Sequence, residues 1–284
     1  MRSAIGLALF LCIAIPLYSA PATQPTIEAR SGQLLADWQA RFKEEGFTAL
    51  VAGPFVLAGD GSAEQVARYR DGTVLSAARA MHATYFNAEP AEPILILLFE
   101  SDASYRRLAR KWLNDATVPH YGYFRHDNIM VMNVATGTGT LVHELTHALI
   151  KPDFPDVPSW FNEGLASLYE QCTMATGTIR GLVNWRLPGL KKAIKANTLR
   201  PFAELINDPQ FCREDLVGIN YAQSRYLMLY LQEKGRLTNY YKVFRGDVKE
   251  DPTGLETLKQ IVAPQSFDVF EKEWRAWVMT LKFE

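Results

Sequence analysis

The sequence has 284 residues, of which 48% are hydrophobic and 21% are charged, and its formal net charge at pH 7 is -1. This composition is ordinary for a soluble globular protein, either one domain of two lobes or two small domains that share a cleft. The nearly neutral charge gives no indication of a nucleic-acid partner or of an anionic membrane surface.

The first twenty residues have the features of a secretory signal peptide. Arg2 supplies the positive charge, residues 4–15 form an apolar run, and Ser19 and Ala20 provide small residues at the end. A membrane anchor is the alternative, but this run is too short to cross a hydrocarbon core about 30 Å thick. We therefore expect residues 1–20 to be a signal peptide of an exported protein, periplasmic or extracellular, with no stable membrane span after cleavage.

The next part of the chain alternates between helical and extended patterns. Residues 21–32 are polar and contain proline, which favours a flexible lead. Apolar residues at helical spacing predict a helix over 33–45, and an apolar segment with a Gly-Pro break predicts one or two strands over 48–57. Ser62 and Gln65 have the form of a capping box and begin a long helix.

Residues 71–134 predict an irregular helix, a buried strand, a second helix and a β-hairpin. Asp71-Gly72 weakens the middle of the long helix. A nearly unbroken apolar run over 93–99 predicts a buried strand, and Ser101 caps the helix after it. Extended segments at 121–125 and 129–134 flank a turn and predict a β-hairpin.

His143, Glu144 and His147 form the pattern H-E-x-x-H. Histidines four positions apart lie on one face of a helix and can both reach one Zn²⁺. Glu144 then lies beside the metal, where a base can take a proton from water. An exposed helix that happens to carry two histidines is the alternative, but the segment is otherwise apolar, and buried histidines need partners.

A third metal ligand is expected on the following helix. After a proline-rich loop, Ser159 is a suitable N-cap, which places Glu163 in the first or second turn. Two histidines, one glutamate and an open position are typical of a catalytic zinc site. Taken alone, a glutamate near a helix start would be a surface residue that stabilises the helix dipole.

The two cysteines beyond the signal, Cys172 and Cys212, are candidates for a disulfide in an oxidising compartment. A loop of about 40 residues closed by a bridge would stabilise the fold by about 3–4 kcal/mol in the chain-entropy model. Two free thiols are the alternative.

From Cys172 onward the pattern is mainly helical, with a possible hairpin over 178–187 and a strong helix over 220–231. Short helices are also expected from about Gly189 and Pro201, and further helices over 238–245, 253–262 and 266–281. The predicted fold class is α+β. An N-terminal lobe (33–151) contains a small mixed sheet and the H-E-x-x-H helix, and a mainly helical C-terminal lobe (152–284) carries the third ligand across a cleft.

His143-Glu144-x-x-His147 followed by Asn162-Glu163-Gly164-Leu165-Ala166 resembles the gluzincin branch of zinc metallopeptidases, and more narrowly the exported peptidase MA-like group. The resemblance covers about residues 138–170 and implies a zincin-like fold. It implies one zinc ion on His143, His147 and Glu163, with Glu144 as base. Ser167 occupies the position of the aspartate that orients one histidine in thermolysin, so that orienting partner is unassigned.

The resemblance also implies a tyrosine or histidine donor from a later helix and a strand along the cleft that pairs with extended peptide. Tyr221 is the nominated donor, a packed tyrosine being the alternative, and Tyr226 and Tyr169 are weaker candidates. Which strand borders the cleft is not evident from the sequence. His120 and His126 are interpreted as surface loop residues.

The function predicted from these residues is that of a zinc-dependent peptidase acting on a peptide or protein substrate. One rival is a zinc hydrolase for another kind of bond. The other is a non-catalytic exported binding module that keeps the zincin fold. An intact Glu144 argues against the last, because a binder needs no base beside the metal.

Overall fold

The computed structural model describes residues 25–283. The predicted signal peptide, residues 1–20, and the first part of the predicted lead lie outside the described residues. Within them, no helix has both the length and the apolar character that a membrane crossing requires.

The fold is α+β and is built on a five-stranded mixed sheet. Its strands are β1 (Thr48–Ala52), β2 (Phe55–Gly59), β3 (Ile94–Phe99), β4 (Gly122–Phe124) and β5 (Ile129–Asn133). They lie in the order β1-β2-β3-β5-β4, with β2, β3 and β5 parallel. The edge strands β1 and β4 are antiparallel to their neighbours.

Helices surround the sheet and form most of the second half of the chain. They are α1 (Ile27–Glu44), α2 (Ala63–Arg68), α3 (Ser76–Thr84), α4 (Asp102–Leu113), α5 (Gly139–Asp153), α6 (Ser159–Leu168), α7 (Leu187–Lys195), α8 (Phe202–Ile206), α9 (Val217–Glu233), α10 (Leu237–Asp247), α11 (Leu255–Val262) and α12 (Phe267–Thr280). A short 3-10 helix, Val134–Thr136, leads towards α5, and a small antiparallel pair, β6 (Cys172–Thr173) and β7 (Arg180–Gly181), follows α6.

The sheet has a hydrophobic core on each face, as expected for strands whose residues are buried on both sides. Trp38 and Phe42 of α1 and Tyr105 and Leu108 of α4 cover one face. The other face contacts α3 and α5, and this core continues without interruption through α6 and α9 to α12. The N-terminal and C-terminal parts of the chain therefore share one core.

Most predicted elements of the N-terminal half are confirmed. β1 and β2 form a hairpin about the Gly-Pro break, 93–99 contains β3, and β4 and β5 form the predicted hairpin. The capping box of Ser62 and Gln65 is present. The Asp71-Gly72 pair lies in a π-helical stretch, Tyr69–Leu75, between α2 and α3, so the long helix is continuous but irregular.

Some predicted boundaries were wrong. α1 begins at Ile27, because the Thr26 side chain accepts a hydrogen bond from the Ala29 N–H, so the end of the predicted flexible lead is helical. Ser159 is the first helical residue of α6 rather than its cap, and Pro158 occupies the cap position. The hairpin expected over 178–187 is not formed within that range, because β7 pairs with the earlier strand β6 and the chain enters α7 at Leu187.

The expected bridge between Cys172 and Cys212 is not present, since both are free thiols. Cys172 is half-buried on β6, and burial raises its pKa to about 11. Cys212 is exposed, and its Sγ lies 3.9 Å from the Tyr221 hydroxyl. Each thiol thus has its own surroundings, one against the core and one at the surface near α9.

Candidate metal centre and its cleft

Helix α5 presents the H-E-x-x-H motif from a buried scaffold. Leu141, Leu145 and Leu149, spaced four apart, are fully buried in the core. The same spacing on the opposite side of the helix brings His143 and His147 together, with their Nε2 atoms 3.0 Å apart. The packing of the apolar face therefore fixes the direction in which both imidazoles point.

Helix α6 brings Glu163 to the same point. Trp160 and Phe161 at its start are buried, and the Trp160 Nε1–H donates to the Thr253 carbonyl at 2.8 Å. One turn later the Oε2 atom of Glu163 lies 3.4 Å from His143 Nε2 and 3.5 Å from His147 Nε2. The three predicted ligands thus converge, although they come from two helices.

The spacing of these three atoms fits a tetrahedral ion. Bonds of about 2.0–2.2 Å to Zn²⁺ at tetrahedral angles place neighbouring ligand atoms about 3.3–3.5 Å apart. The observed separations of 3.0, 3.4 and 3.5 Å are close to that range. Glu163 Oε2 is also buried without a hydrogen-bond partner, which is costly for a carboxylate unless a cation binds it. The residues present therefore fit a zinc ion.

Two acceptors orient the imidazoles from behind. Asn162 Oδ1 lies 2.9 Å from His147 Nδ1, so it can accept a hydrogen bond from Nδ1–H. The Nε2 atom is then unprotonated and can bind a metal. Glu170 Oε1 lies 3.4 Å from His143 Nδ1, a long contact rather than a well-formed hydrogen bond. Together they favour the tautomer that a metal at Nε2 requires.

Glu170 is itself held in place. Arg186 donates to both of its oxygens, at 2.6 and 2.9 Å, and the Asn184 amide donates at 3.1 Å. Burial alone would raise the pKa of Glu170, but these donors and His143 outweigh it and lower the pKa to about 2. Glu170 is therefore ionised beside the candidate centre at neutral pH.

The centre is electrostatically prepared for a cation. Burial opposes protonation of His143, yet Glu163 and Glu170 outweigh burial and raise its pKa to about 10. Burial would likewise raise the pKa of Glu163, but the two imidazoles hold it well below its usual range. A divalent ion can take the place of the proton that these carboxylates stabilise.

Glu144 and Tyr221 line the same cleft as the three candidate ligands, a cavity of about 610 Å³. The Glu144 side chain is half-buried on α5, next to His143 in sequence but turned from the core. The Tyr221 ring lies over the His143 ring, 6.5 Å between centroids and 18° between planes. Burial and the nearby Glu163 carboxylate raise the pKa of Tyr221, so the phenol keeps its proton and can donate it.

The position of Tyr221 depends on the close packing of α6 and α9. Gly164 follows Glu163, and a Cβ built on it would lie only 3.0 Å from the Ser224 Cβ. At such close approach, the helix that carries Tyr221 lies directly against the helix that carries Glu163.

The other tyrosine candidates lie outside the cleft. The Tyr169 hydroxyl is buried and donates to Tyr85 at 2.6 Å. The Tyr226 hydroxyl is buried against the backbone of Asn184. Of the two loop histidines, both exposed, His126 lines the cleft and His120 does not.

Strand β4 borders the cleft. The sequence alone did not indicate which strand would do so. Tyr123 and Phe124 of β4, together with Arg125 and His126, line the cleft along with residues of α5. One side of β4 pairs with β5, and its other side has no partner strand in the sheet of the described residues.

Sequence reasoning missed Asn162, Glu170 and Arg186 as supports of the centre. Asn162 stands directly before Glu163, which was the usable signal for it. Glu170 lies beyond the end of α6, so helical spacing does not place it, and nothing in the sequence placed Arg186 beside it.

Comparison of the chain with models of known protein families gives no match, and comparison with curated proteins gives none either.

Proposed function

We propose that this protein is a zinc-dependent peptidase with a gluzincin-type centre and a zincin-like fold. The observation that carries the proposal is the convergence of His143, His147 and Glu163 at tetrahedral ligand spacing. Glu144 and Tyr221, a base and a hydrogen-bond donor, line the same cleft.

A zinc ion held by the three ligands would supply Lewis acidity towards a water molecule and a substrate carbonyl. Glu144 would accept the proton of the attacking water and later pass it to the leaving amine. The Tyr221 hydroxyl would donate to the oxyanion that develops on the carbonyl oxygen, and Asn162 and Glu170 would keep the imidazoles in the required tautomer.

The unpaired side of β4 supports a polypeptide substrate. An extended chain can add to a sheet edge through backbone hydrogen bonds, which tolerate many side chains. Because β4 and the candidate ligands line the same cleft, a chain bound to β4 would lie near the candidate centre.

The test combines zinc stoichiometry with cleavage of a mixed peptide library by the zinc-loaded protein. We expect one zinc per chain and cleavage that a chelator abolishes and added zinc restores. Zinc without peptide cleavage, but with hydrolysis of an ester or another bond, would favour the non-peptidase hydrolase. Zinc with binding and no hydrolysis of any kind would favour the binding module.

We also propose that the protein is exported, on the basis of residues 1–20 of the sequence. Fractionation of cells with an antibody against the protein tests this separately from the activity. Recovery of the full-length chain only in the cytoplasm would contradict it.

A further inference from the structure

Two cavities border helix α5, and they differ in charge. The cavity at the N-terminal end, about 650 Å³, contains one acid and one base, Glu170 and Arg186, which bind each other at 2.6 Å. That end is therefore neutral. The cleft that contains the candidate centre extends towards the other end of α5, where Lys151 lines it.

Besides the candidate ligands, three basic residues line this cleft: Arg125, His126 and Lys151. Arg125 is already paired with Asp115 and Asp127. Lys151 is exposed and, among residues 25–283, has no carboxylate within 4.0 Å of its ammonium group. Glu144 and the candidate ligand Glu163 are the acidic residues of the lining. The uncompensated positive charge of this end thus belongs mainly to Lys151.

Lys151 lies at a defined distance from the candidate centre along α5. It follows His147 by four residues, so it lies one turn further along α5, about 6 Å along the helix axis. An extended chain advances about 3.3 Å per residue. In a substrate whose chain runs from the centre towards the end of α5, a side chain about two residues from the scissile bond would therefore lie near Lys151.

We propose that Lys151 determines specificity by binding an acidic side chain of the substrate, an aspartate or glutamate about two residues from the cleaved bond. The distance of about two residues from the cleaved bond rests on the proposed peptidase function. The preference of Lys151 for an acidic side chain does not. Arg125 also lines the cleft, but its pairing with Asp115 and Asp127 leaves Lys151 as the cation available to a carboxylate.

The test uses peptides blocked at both ends, so that no terminal carboxylate competes. A single aspartate is moved through each position of a neutral peptide, with a matched asparagine peptide for each. At one position, we expect the wild-type protein to prefer aspartate by about fivefold in kcat/KM, the upper range for an exposed ion pair. The preference should weaken as sodium chloride is raised, because salt screens exposed charges.

Lys151→Met keeps the length of the side chain and removes its charge. We expect the ratio of aspartate to asparagine cleavage to fall to about one at that position, and any general loss of activity cancels within the ratio. Lys272→Met, at an exposed lysine of α12 away from the cleft, is the matched control and should keep the wild-type ratio. A wild-type ratio of one at every position, or a ratio that Lys151→Met leaves unchanged, would overturn the proposal.

A binding measurement separates this inference from the peptidase proposal. The Kd values of fluorescent aspartate and asparagine peptides are measured with Glu144→Gln and with the double variant Glu144→Gln/Lys151→Met. We expect Glu144→Gln to bind the aspartate peptide more tightly than the asparagine peptide, and the double variant to bind both equally. This result would support the role of Lys151 even if no peptide is cleaved. Cleavage without any acidic preference in either measurement would refute Lys151 alone.

Discussion

A Cβ atom built on Gly164 of α6 would lie 3.0 Å from the Ser224 Cβ of α9. This contact joins the helix of Glu163 to the helix of Tyr221, so two parts of the candidate centre share one packing constraint. We expect Gly164→Ala to lower the free energy of unfolding by about 1–3 kcal/mol, because the helices must separate to admit the methyl group. It should also weaken zinc binding. Urea unfolding and zinc titration measure the two effects.

Gly189 on α7 is the control for that substitution. A Cβ there meets nothing within 4 Å, so Gly189→Ala should stabilise the helix by up to about 1 kcal/mol. Equal effects of the two substitutions would show that α6 and α9 tolerate a wider separation than the contact implies.

Glu144→Gln should separate chemistry from metal binding. Because Glu144 is not among the three converging ligands, the variant should bind zinc as the wild type does. Turnover should fall by about 10²–10⁴-fold, since the amide cannot accept the proton of water. Zinc analysis and peptide cleavage on one preparation give both values. Retained activity would remove Glu144 from the mechanism.

Tyr221→Phe should lower kcat by about 10²–10³-fold, the usual effect of removing a donor to an oxyanion. Zinc content should stay unchanged, because the phenol is not one of the converging ligands. Tyr230→Phe on the same helix, where the ring packs against Trp277, is the matched control and should keep full activity. Equal rates for both variants would make Tyr221 a packing residue.

Glu170→Gln should weaken zinc binding by about 10–100-fold, as expected when the partner of a histidine ligand loses its charge. The exposed Glu273 of α12 offers a control, since Glu273→Gln lies away from the centre. Competition with a chromophoric chelator measures the affinity, and thermal unfolding without zinc shows any loss of fold. Unchanged zinc affinity would mean that His143 does not need the Glu170 carboxylate for its orientation.

Asp153, at the end of α5, should make stability depend on pH in acid. Burial alone would raise its pKa, but the Tyr241 hydroxyl, Arg245 and two backbone N–H groups hold it below the usual value of 3.8. A pKa lowered by folding stabilises the folded state above the unfolded pKa, and this stability is lost as the pH falls through the folded pKa. Asp153→Asn should cost about 3 kcal/mol at pH 7.

Measurement of the free energy of unfolding against pH tests this assignment. The difference between wild type and Asp153→Asn should be constant near neutrality and should shrink below about pH 4. A difference that stayed constant into strong acid would show that Asp153 does not titrate in the unfolding reaction.

The sequence predicted the local features better than the contacts between distant segments. Spacing alone identified His143 and His147, because i and i+4 share a helix face wherever the helix lies. The Ser62 capping box was found for the same reason. Arg186, by contrast, reaches Glu170 only through the fold of the loop after β7, and no periodicity carries that information.

The start of α1 and the border of the cleft show the same limit. Thr26 caps a helix whose first turn is polar, so the apolar pattern begins later than the helix does. β4 lies at the edge of the sheet because β5 lies between it and β3. This strand order is a property of the topology, and local propensity does not determine it.

The side of β4 that has no partner strand in the described part of the chain limits which polypeptides could bind there as substrates. A chain can add to this edge only if it is extended and its own N–H and C=O groups are not engaged elsewhere. Native domains rarely offer such a segment, whereas termini, linkers and damaged chains do. A peptidase built around this groove would select its targets by the free energy of their local unfolding, and would spare a stable domain that contains the same residues.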